Sequence, residues 1–312
     1  MAHYPQSAVG LNYITYPAGP GANGSTLTAH ASANTKGAYV EYVSSSPFAC
    51  NNLIVTISFA NVTGRRYLLD VATGGAGVET VIIPNLLFEG PGAGAGQAVQ
   101  GIVRLPCAIP AGTRIAARIQ CSTGSSIASV SIAIAATGDT PSPSTYLNYG
   151  SNTVDSGGAT VDPGGSIDTK GAYTEVTAST SAVIQTLTIL FGYGGNTGPA
   201  AAGWAVDIAT GGVGVETVLI PDLRISGHTS LAPSPWSYTF LTYIPAGTRI
   251  AVRASCSTAD ATDRLIDVAI VASAAPAEVG GGALSWAPLS VVVGAGMQLV
   301  RAVASGGGVG RN

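Results

Sequence analysis

The feature that most constrains this chain is an internal repeat. The stretch IPAGTRIAARIQCST at residues 109–123 returns as IPAGTRIAVRASCST at 244–258. Matching blocks begin 134 to 137 residues apart, and blocks in a constant order at a near-constant offset indicate an intragenic duplication. The other matching blocks are LNY at 11–13 and 147–149, TKGAY at 35–39 and 169–173, and DVATGGAGVETVIIPNL at 70–86 against DIATGGVGVETVLIPDL at 207–223.

The length of the repeat predicts a whole domain for each copy. Repeats of solenoids and propellers are much shorter, at about 20 to 50 residues, so each copy here should have its own core. The segment GDTPSPST at 138–145 is rich in Pro and Ser, which is typical of a linker. We therefore divide the chain into an N-terminal arm at 1–10, a first repeat at 11–138, a linker at 139–146, a second repeat at 147–275 and a Gly-rich C-terminal tail at 276–312.

Alternation of apolar and polar residues predicts β-structure throughout, whereas helical periodicity is scarce. Within residues 113–121, one face carries Ile115, Ala117, Ile119 and Cys121, and residues 250–256 repeat this pattern. A period of two residues is typical of half-buried strands. Similar segments at 53–59, 130–134 and 266–270 are separated by turn residues. We predict an all-β chain of two tandem antiparallel β-sandwich domains of the jelly-roll type.

The composition excludes several classes of partner. Only 9% of the residues are charged and the net charge is −3, whereas an ordinary globular domain has about 25% charged residues. A surface with so few charges suits a protein whose neighbours cover much of it. The sequence lacks the basic excess of nucleic-acid-binding proteins and the roughly 18 consecutive apolar residues of a membrane span. The first residues do not resemble a signal peptide, so we expect synthesis and assembly in a cytoplasm.

The cysteines and histidines do not predict a metal site or a cofactor. Cys50, Cys107, Cys121 and Cys256 include no C-x-x-C pair and have no histidine at zinc-like spacing. Cys121 and Cys256 occupy matching positions, and the second repeat holds no other cysteine for a disulfide within its own domain. We expect both to be reduced, buried and apolar in character.

Ten charged residues that recur in both repeats are the candidate site residues. They either form ion pairs that fix strand register and loop shape, which we favour, or form a patch that contacts a glycan or a neighbouring subunit. Asp70 or Glu79 should then lie within ion-pair distance of Arg114 or Arg118. The ten residues are Lys36 and Lys170, Asp70 and Asp207, Glu79 and Glu216, Arg114 and Arg249, and Arg118 and Arg253.

The Gly-rich blocks and the aromatic residues also allow two interpretations. TGGAGVET at 73–80 resembles a phosphate-binding loop, but no GK[ST] follows, and a strand follows in place of a helix, so we expect a strand-to-strand loop with positive φ. Asp70 with Glu79 is a conceivable acid/base pair, but no nucleophile or oxyanion hole accompanies it, so we expect no enzyme. Trp204 is either a core residue, which we favour, or a platform for a sugar ring.

The blocks TKGAYVE, DVATGGAGVETVIIPNL and IPAGTRIAARIQ resemble a module of virion structural proteins in tailed bacteriophages, over residues 11–275. The resemblance implies a non-enzymatic component on the outside of a virion, either a capsid decoration protein or part of a head or tail fibre. Its partners would be capsid or tail subunits and further copies of itself, for example in a trimer. The alternative is a host-surface adhesin that binds bacterial polysaccharide. Two strand-like pieces of the tail, at 289–293 and 297–303, should pair with a neighbour or with the chain's own domains.

Overall fold

The computed structural model describes residues 12–17, 24–60, 65–90, 101–136, 146–193, 202–228, 231–258 and 264–274. These residues form strands and turns without a helix, which confirms the all-β prediction. They belong to a compact unit that ends at Pro276. The predicted arm at 1–10 and the predicted tail at 276–312, with its two strand-like pieces, lie outside the described residues.

The first half of the chain forms two antiparallel sheets. One sheet has the strand order β1-β9-β4-β7, with β2 also paired to β9, and the other has the order β3-β8-β5-β6. This distribution of successive strands over two sheets is that of a jelly roll. The strands are β1 (Asn12–Tyr16), β2 (Ser25–Thr28), β3 (Val40–Val43), β4 (Cys50–Ala60), β5 (Arg66–Thr73), β6 (Thr80–Glu89), β7 (Gly101–Ile109), β8 (Ile115–Cys121) and β9 (Ile127–Ala136).

The second half has the same order with one strand more. Its strands are β10 (Tyr146–Tyr149), β11 (Ala159–Val161), β12 (Thr174–Thr177), β13 (Ile184–Tyr193), β14 (Ala202–Thr210), β15 (Thr217–His228), β16 (Leu231–Ser234), β17 (Ser237–Ile244), β18 (Ile250–Cys256) and β19 (Ile266–Ala274). One sheet is β10-β19-β13-β17, with β11 on β19, and the other is β12-β18-β14-β15-β16. The additional strand, β16, extends the second sheet beyond β15.

Strand pairing corrects the sequence alignment at one place. Tyr13 of β1 and Tyr146 of β10 occupy equivalent register positions in the two corresponding sheets. YITY at 13–16 is therefore equivalent to YLNY at 146–149, and the two LNY blocks are out of register with each other. Tyr146 also belongs to a strand, so the predicted linker at 139–146 extends one residue too far.

Each half buries an apolar cluster between its two sheets, but the first cluster is not confined to the first half. It includes Tyr146, Leu190, Trp236, Ala269 and Val271 from the second half. Strand β6 packs against β10, β13 and β19, so one half covers part of the other. The expectation of a separate core for each copy is therefore wrong in part, because the two halves share an apolar junction.

Strands β8 and β18 differ from the half-buried strands that alternation predicts. Both are buried on both faces except at one central residue, Arg118 in β8 and Arg253 in β18. In β8, Gln120 donates a hydrogen bond to the Thr153 carbonyl of the second half, so a polar side chain is covered by the other half. The thiols of Cys121 and Cys256 are buried and unpaired, as the sequence predicts.

Candidate functional site

The Gly-rich blocks form the turns of two equivalent hairpins, β5–β6 and β14–β15. Gly74 and Gly77 have φ values of +105° and +83°, and Gly211 and Gly214 have values of +111° and +80°. Residues with a Cβ rarely adopt these values, which explains why glycine occupies these positions. The turn leads from strand to strand, as predicted, and offers no helix N-terminus that would bind a phosphate.

Arg114 closes the first of these turns. Its Nε lies 2.7 Å from Glu41 Oε2, and its terminal nitrogen lies 3.0 Å from Glu79 Oε1. The same nitrogen donates to the Gly74 carbonyl at 3.1 Å, and the Gly77 N–H donates to Glu79 at 3.0 Å. The hydrogen bonds that Arg114 donates to Glu41 and Glu79 raise its pKa, although burial acts in the opposite direction. The guanidinium therefore holds the loop and both carboxylates in one arrangement.

Asp70 is the centre of a second network on the outer face of the same sheet. One carboxylate oxygen accepts hydrogen bonds from Lys36 Nζ at 2.8 Å and from the Asn85 N–H at 3.0 Å, and the other from Arg118 Nε at 3.0 Å. Lys36 also donates to the Leu68 carbonyl. Burial lowers the pKa of Lys36 to about 8 despite the attraction of Asp70. Arg118 lies over the ring of Tyr39, with its Cζ 4.4 Å from the ring centre.

The second half reproduces both networks. Lys170 and Arg253 bind Asp207 at 2.7 and 3.0 Å, and Arg249 binds Glu175 and Glu216 at 2.8 and 3.0 Å. Burial opposes ionisation of Asp207, but hydrogen bonds from Lys170, the Asp222 N–H and Arg253 lower its pKa overall. The second half also has a pair between Lys170 and Asp222, because aspartate stands where the first half has Asn85.

The predicted ion pairs are therefore confirmed in both halves, and all ten candidate residues take part in them. Their charged groups are directed at one another and at backbone groups, which fixes strand register and turn shape. Among the described residues, no three His, Cys, Asp or Glu side chains lie together as a metal site would require. A role of the ten residues in contacting a ligand or a subunit stays a prediction.

A cluster of charges at the junction between the halves is not predicted by the sequence pattern. Arg66 of the first half lies 3.4 Å from Asp155 and 3.4 Å from Asp267 of the second half. Asp267 also accepts a hydrogen bond from Thr160 at 2.9 Å. Glu89 is fully buried nearby, where one of its oxygens accepts a hydrogen bond from the Tyr193 N–H. This cluster joins the two halves through side chains rather than through strand pairing.

Burial controls ionisation in this cluster. It raises the pKa of Asp267 to about 6, although Arg66 and the hydrogen bond from Thr160 act in the opposite direction. It also raises the pKa of Glu89 well above the usual value for glutamate, and the second carboxyl oxygen of Glu89 has no hydrogen-bond partner among the described residues. Desolvation of a carboxylate favours its neutral form. Glu89 is therefore held as a neutral acid at the junction over a wider pH range than an exposed glutamate.

A comparison of the two copies would have found this cluster. The charges of the two repeated networks hold each half together, whereas Arg66, Glu89 and Asp267 occur in one copy only and lie where the halves meet. Strand register places neutral residues at the equivalent positions: Gly203 for Arg66, Ser226 for Glu89 and Ser129 for Asp267.

Further hydrogen bonds across the junction cover the edge of β6. Asn148 donates to the Asn85 carbonyl at 3.0 Å, and Trp236 Nε1 donates to the Leu87 carbonyl at 2.8 Å. The Trp236 ring lies so close to β7 that a Cβ on Gly101 would approach it to 2.5 Å. The open strand edge of the first half is therefore satisfied by side chains of the second half.

An open cavity of about 430 Å³ lies in the second half, beside β14, β15 and β18. Its lining includes Trp204, Asp168 and Arg224. The Trp204 side chain is buried, and its Nε1 donates to the Arg264 carbonyl at 3.0 Å. The core interpretation of Trp204 is therefore confirmed, and its ring is not available to stack on a sugar.

Comparisons with known proteins do not assign a family. No family model matches the chain, and the search of curated proteins finds no significant match. Within the part of the chain that the structure describes, no helix has the length and hydropathy needed to cross a bilayer.

Proposed function

We propose that this chain is a non-enzymatic structural protein on the outside of a tailed-phage particle, a capsid decoration protein or a component of a head or tail fibre. It acts by contacts with other virion proteins. The resemblance of its repeated blocks to virion structural proteins supports this proposal, as does a charge content of 9%.

The observation that carries the proposal is an apolar strip on β17. Leu241 and Tyr243 are 89% and 72% exposed on this strand, which is at the edge of its sheet. Exposed edge strands usually carry charged residues or proline that prevent association, but β17 has the sequence SYTFLTYI. Large exposed apolar side chains on an unprotected edge are typical of a surface that another protein covers.

The arrangement of the charged residues supports a role without catalysis. Asp70 and Glu79, the conceivable acid/base pair, are engaged by different cations in separate networks. Asp70 accepts hydrogen bonds from Lys36, Arg118 and a backbone N–H, and Glu79 accepts them from Arg114 and a backbone N–H. Such groups stabilise a loop, whereas a general acid or base needs access to substrate.

The proposal is tested on purified particles of the phage whose genome encodes the chain. We expect the protein in the particles at a fixed copy number by quantitative mass spectrometry, and gold-labelled antibodies against it should bind intact particles. A preparation from a phage with a stop codon in the gene is the control. Absence of the protein from wild-type particles would contradict the proposal, as would glycan hydrolysis by the purified chain that Asp70→Ala or Asp207→Ala abolishes.

A further inference from the structure

We propose that the partner at the β17 strip is a second copy of this chain, bound head to tail in the way that the two halves of one chain already bind each other. The inference names the partner for the assembly role proposed above and rests on it. It follows from two surfaces that are covered in one half and uncovered in the other.

The contact within the chain joins an edge to a face. The edge consists of β6 and β7 of the first half, and the face is the outer side of the β10-β19-β13-β17 sheet of the second half. The face contributes Leu190, Ala269 and Val271, which are buried together with residues of the first half. Tyr146 of the face donates its hydroxyl hydrogen to the Pro106 carbonyl of the edge. This edge-to-face contact uses different surfaces on the two halves.

The described residues leave the equivalent face of the first half uncovered. It is the outer side of the β1-β9-β4-β7 sheet, where Tyr13 takes the position of Tyr146. Tyr13 is 53% exposed, whereas Tyr146 is 4% exposed. Ile102 on β7 of the same sheet is also largely exposed. The first half therefore presents a face with the equivalent tyrosine and no described edge docked on it. This face is less apolar, since Thr56, Ser131 and Ala133 stand where the face of the second half has Leu190, Ala269 and Val271.

Among the described residues, the equivalent edge of the second half is uncovered along β17 and at Leu219 of β15. Further along β15 the edge is covered by its own half, because β16 pairs with β15 at Ser226 and Tyr238 donates a hydrogen bond to the Arg224 carbonyl at 2.7 Å. Leu219 of β15 is 38% exposed, whereas Ile82, at the same place in β6, is 6% exposed. Leu241 of β17 takes the position of Pro106, the residue whose carbonyl receives the Tyr146 hydroxyl. The Leu241 carbonyl is therefore the expected acceptor for Tyr13 of another chain.

The charges at these two surfaces agree with a contact between separate chains. The internal junction buries the charges of Arg66, Glu89 and Asp267. The equivalent positions on the uncovered surfaces hold neutral residues, so docking would bury no unpaired charge there. Arg224 stands where the edge of the first half has Leu87, and its side chain is exposed. The contact between chains is thus more polar than the internal contact, and we expect it to be weaker and reversible.

An edge-to-face contact is heterologous, because it joins different surfaces of identical chains. Within the part of the chain that the structure describes, one such edge and one such face are uncovered, so association through them continues until a ring closes or a filament forms. A two-fold dimer would instead bring the same surface of both chains together. This difference makes the arrangement testable with variants of exposed residues.

The first test is sedimentation velocity of the purified full-length chain over a concentration series. We expect a reversible shift to species larger than one chain, and at least a tenfold rise in the dissociation constant for Tyr13→Asp and for Leu241→Asp. Val213→Asp is the matched control, since Val213 is also largely exposed but lies in the Gly-rich turn. A single-chain species at all concentrations, or association unchanged by both variants, would overturn the inference.

The second test distinguishes head-to-tail from two-fold contact. Tyr13→Cys and Leu241→Cys chains are treated with a short bismaleimide, separately and as a mixture. We expect a linked pair of chains in the mixture only, since the native thiols are buried. Linkage within either variant alone, or none in the mixture, would overturn the inference.

Failure of this inference and failure of the proposed function can be distinguished. If the chain is found in particles but the purified chain stays monomeric, only this inference is refuted. If the chain self-associates but is absent from particles, only the proposed virion role is refuted.

Discussion

Arg66 and Asp267 are 201 positions apart in the sequence, yet the Arg66 terminal nitrogen lies 3.4 Å from Asp267 Oδ2. This ion pair joins β5 of the first half to β19 of the second. Neither residue has a charged equivalent in the other copy, so the pair belongs to the junction and not to the repeated fold. The stability of the junction therefore depends on residues that do not recur between the two halves.

Replacing Arg66 by methionine should destabilise the protein. The substitution keeps most of the side-chain volume but leaves Asp267 buried without its cation, and breaking a buried pair in this way typically costs about 3 kcal/mol. We expect that decrease in the free energy of unfolding in urea at pH 7.5. The control is Arg224→Met on an exposed arginine, which should change the value by less than about 0.5 kcal/mol. Equal effects of both substitutions would contradict the role of Arg66.

Asp267 should make stability depend on pH in a definite direction. Its pKa is raised in the folded protein, from a usual value of 3.8 to about 6, so the folded state binds the proton more tightly than the unfolded state. The resulting stabilisation is complete below pH 3.8 and is lost as the pH rises through about 6. A pKa difference of this size corresponds to about 3 kcal/mol.

The measurement compares the wild type with Asp267→Asn, because asparagine resembles the protonated acid at all pH values. We expect the stability of the wild type relative to the variant to fall by about 3 kcal/mol between pH 4 and pH 7.5. Arg66 and Glu89 are present in both proteins, so the difference reports the ionisation of Asp267 together with its electrostatic coupling to Glu89. The account is contradicted if the difference in free energy of unfolding between the wild type and Asp267→Asn stays constant with pH. It is also contradicted if the wild type becomes more stable relative to the variant as the pH rises.

The sequence predicts the fold and the repeated networks better than it predicts the junction. Alternation and turn residues indicate the strands, and recurring charges indicate the pairs, because both signals lie within a single copy. The junction depends on how two copies pack, and its main contacts come from residues such as Glu89 and Trp236 that differ between copies. Burial on the second face of β8 was also missed, since Gln120 is covered by the other half and not by its own sheet.

The Asp70 network should contribute more to stability than the Asp207 network, because Lys170 has Asp222 as a second anion whereas Lys36 has Asp70 alone among the ion pairs of the described residues. We expect Asp70→Asn to lower the free energy of unfolding at pH 7 by about 2 to 4 kcal/mol, since it leaves the part-buried donors of Lys36 and Arg118 without their anion. Asp207→Asn should cost less, since Lys170 keeps its pair with Asp222. The pKa of Asp207 is lowered in the folded state, so its contribution is present above the usual pKa of 3.8 and is lost as the pH falls through the lower folded value. Urea titrations of the wild type and both variants at pH 7 and pH 3 measure these free energies of unfolding. An unchanged free energy of unfolding at pH 7 for either variant would refute the network interpretation.

The cysteines should be inert in the native protein. Burial raises the pKa of Cys50 to about 11 and that of Cys107 to about 12, and the thiols of Cys121 and Cys256 are packed in the cores. We expect no rapid reaction with a thiol reagent at pH 8 and reaction of all four cysteines in denaturant. Val78→Cys in an exposed turn is the positive control. Rapid modification of any cysteine in the native protein would show that its thiol is not buried.

The central claim, that this chain is a structural component on the outside of a phage particle, is tested most directly by an electron cryomicroscopy reconstruction of the intact particle. We predict density for both jelly rolls at the outer surface, with a neighbouring protein covering Leu241 and Tyr243 on β17. A particle without density for the chain, or with the chain present and the β17 strip facing solvent in every copy, would contradict the account.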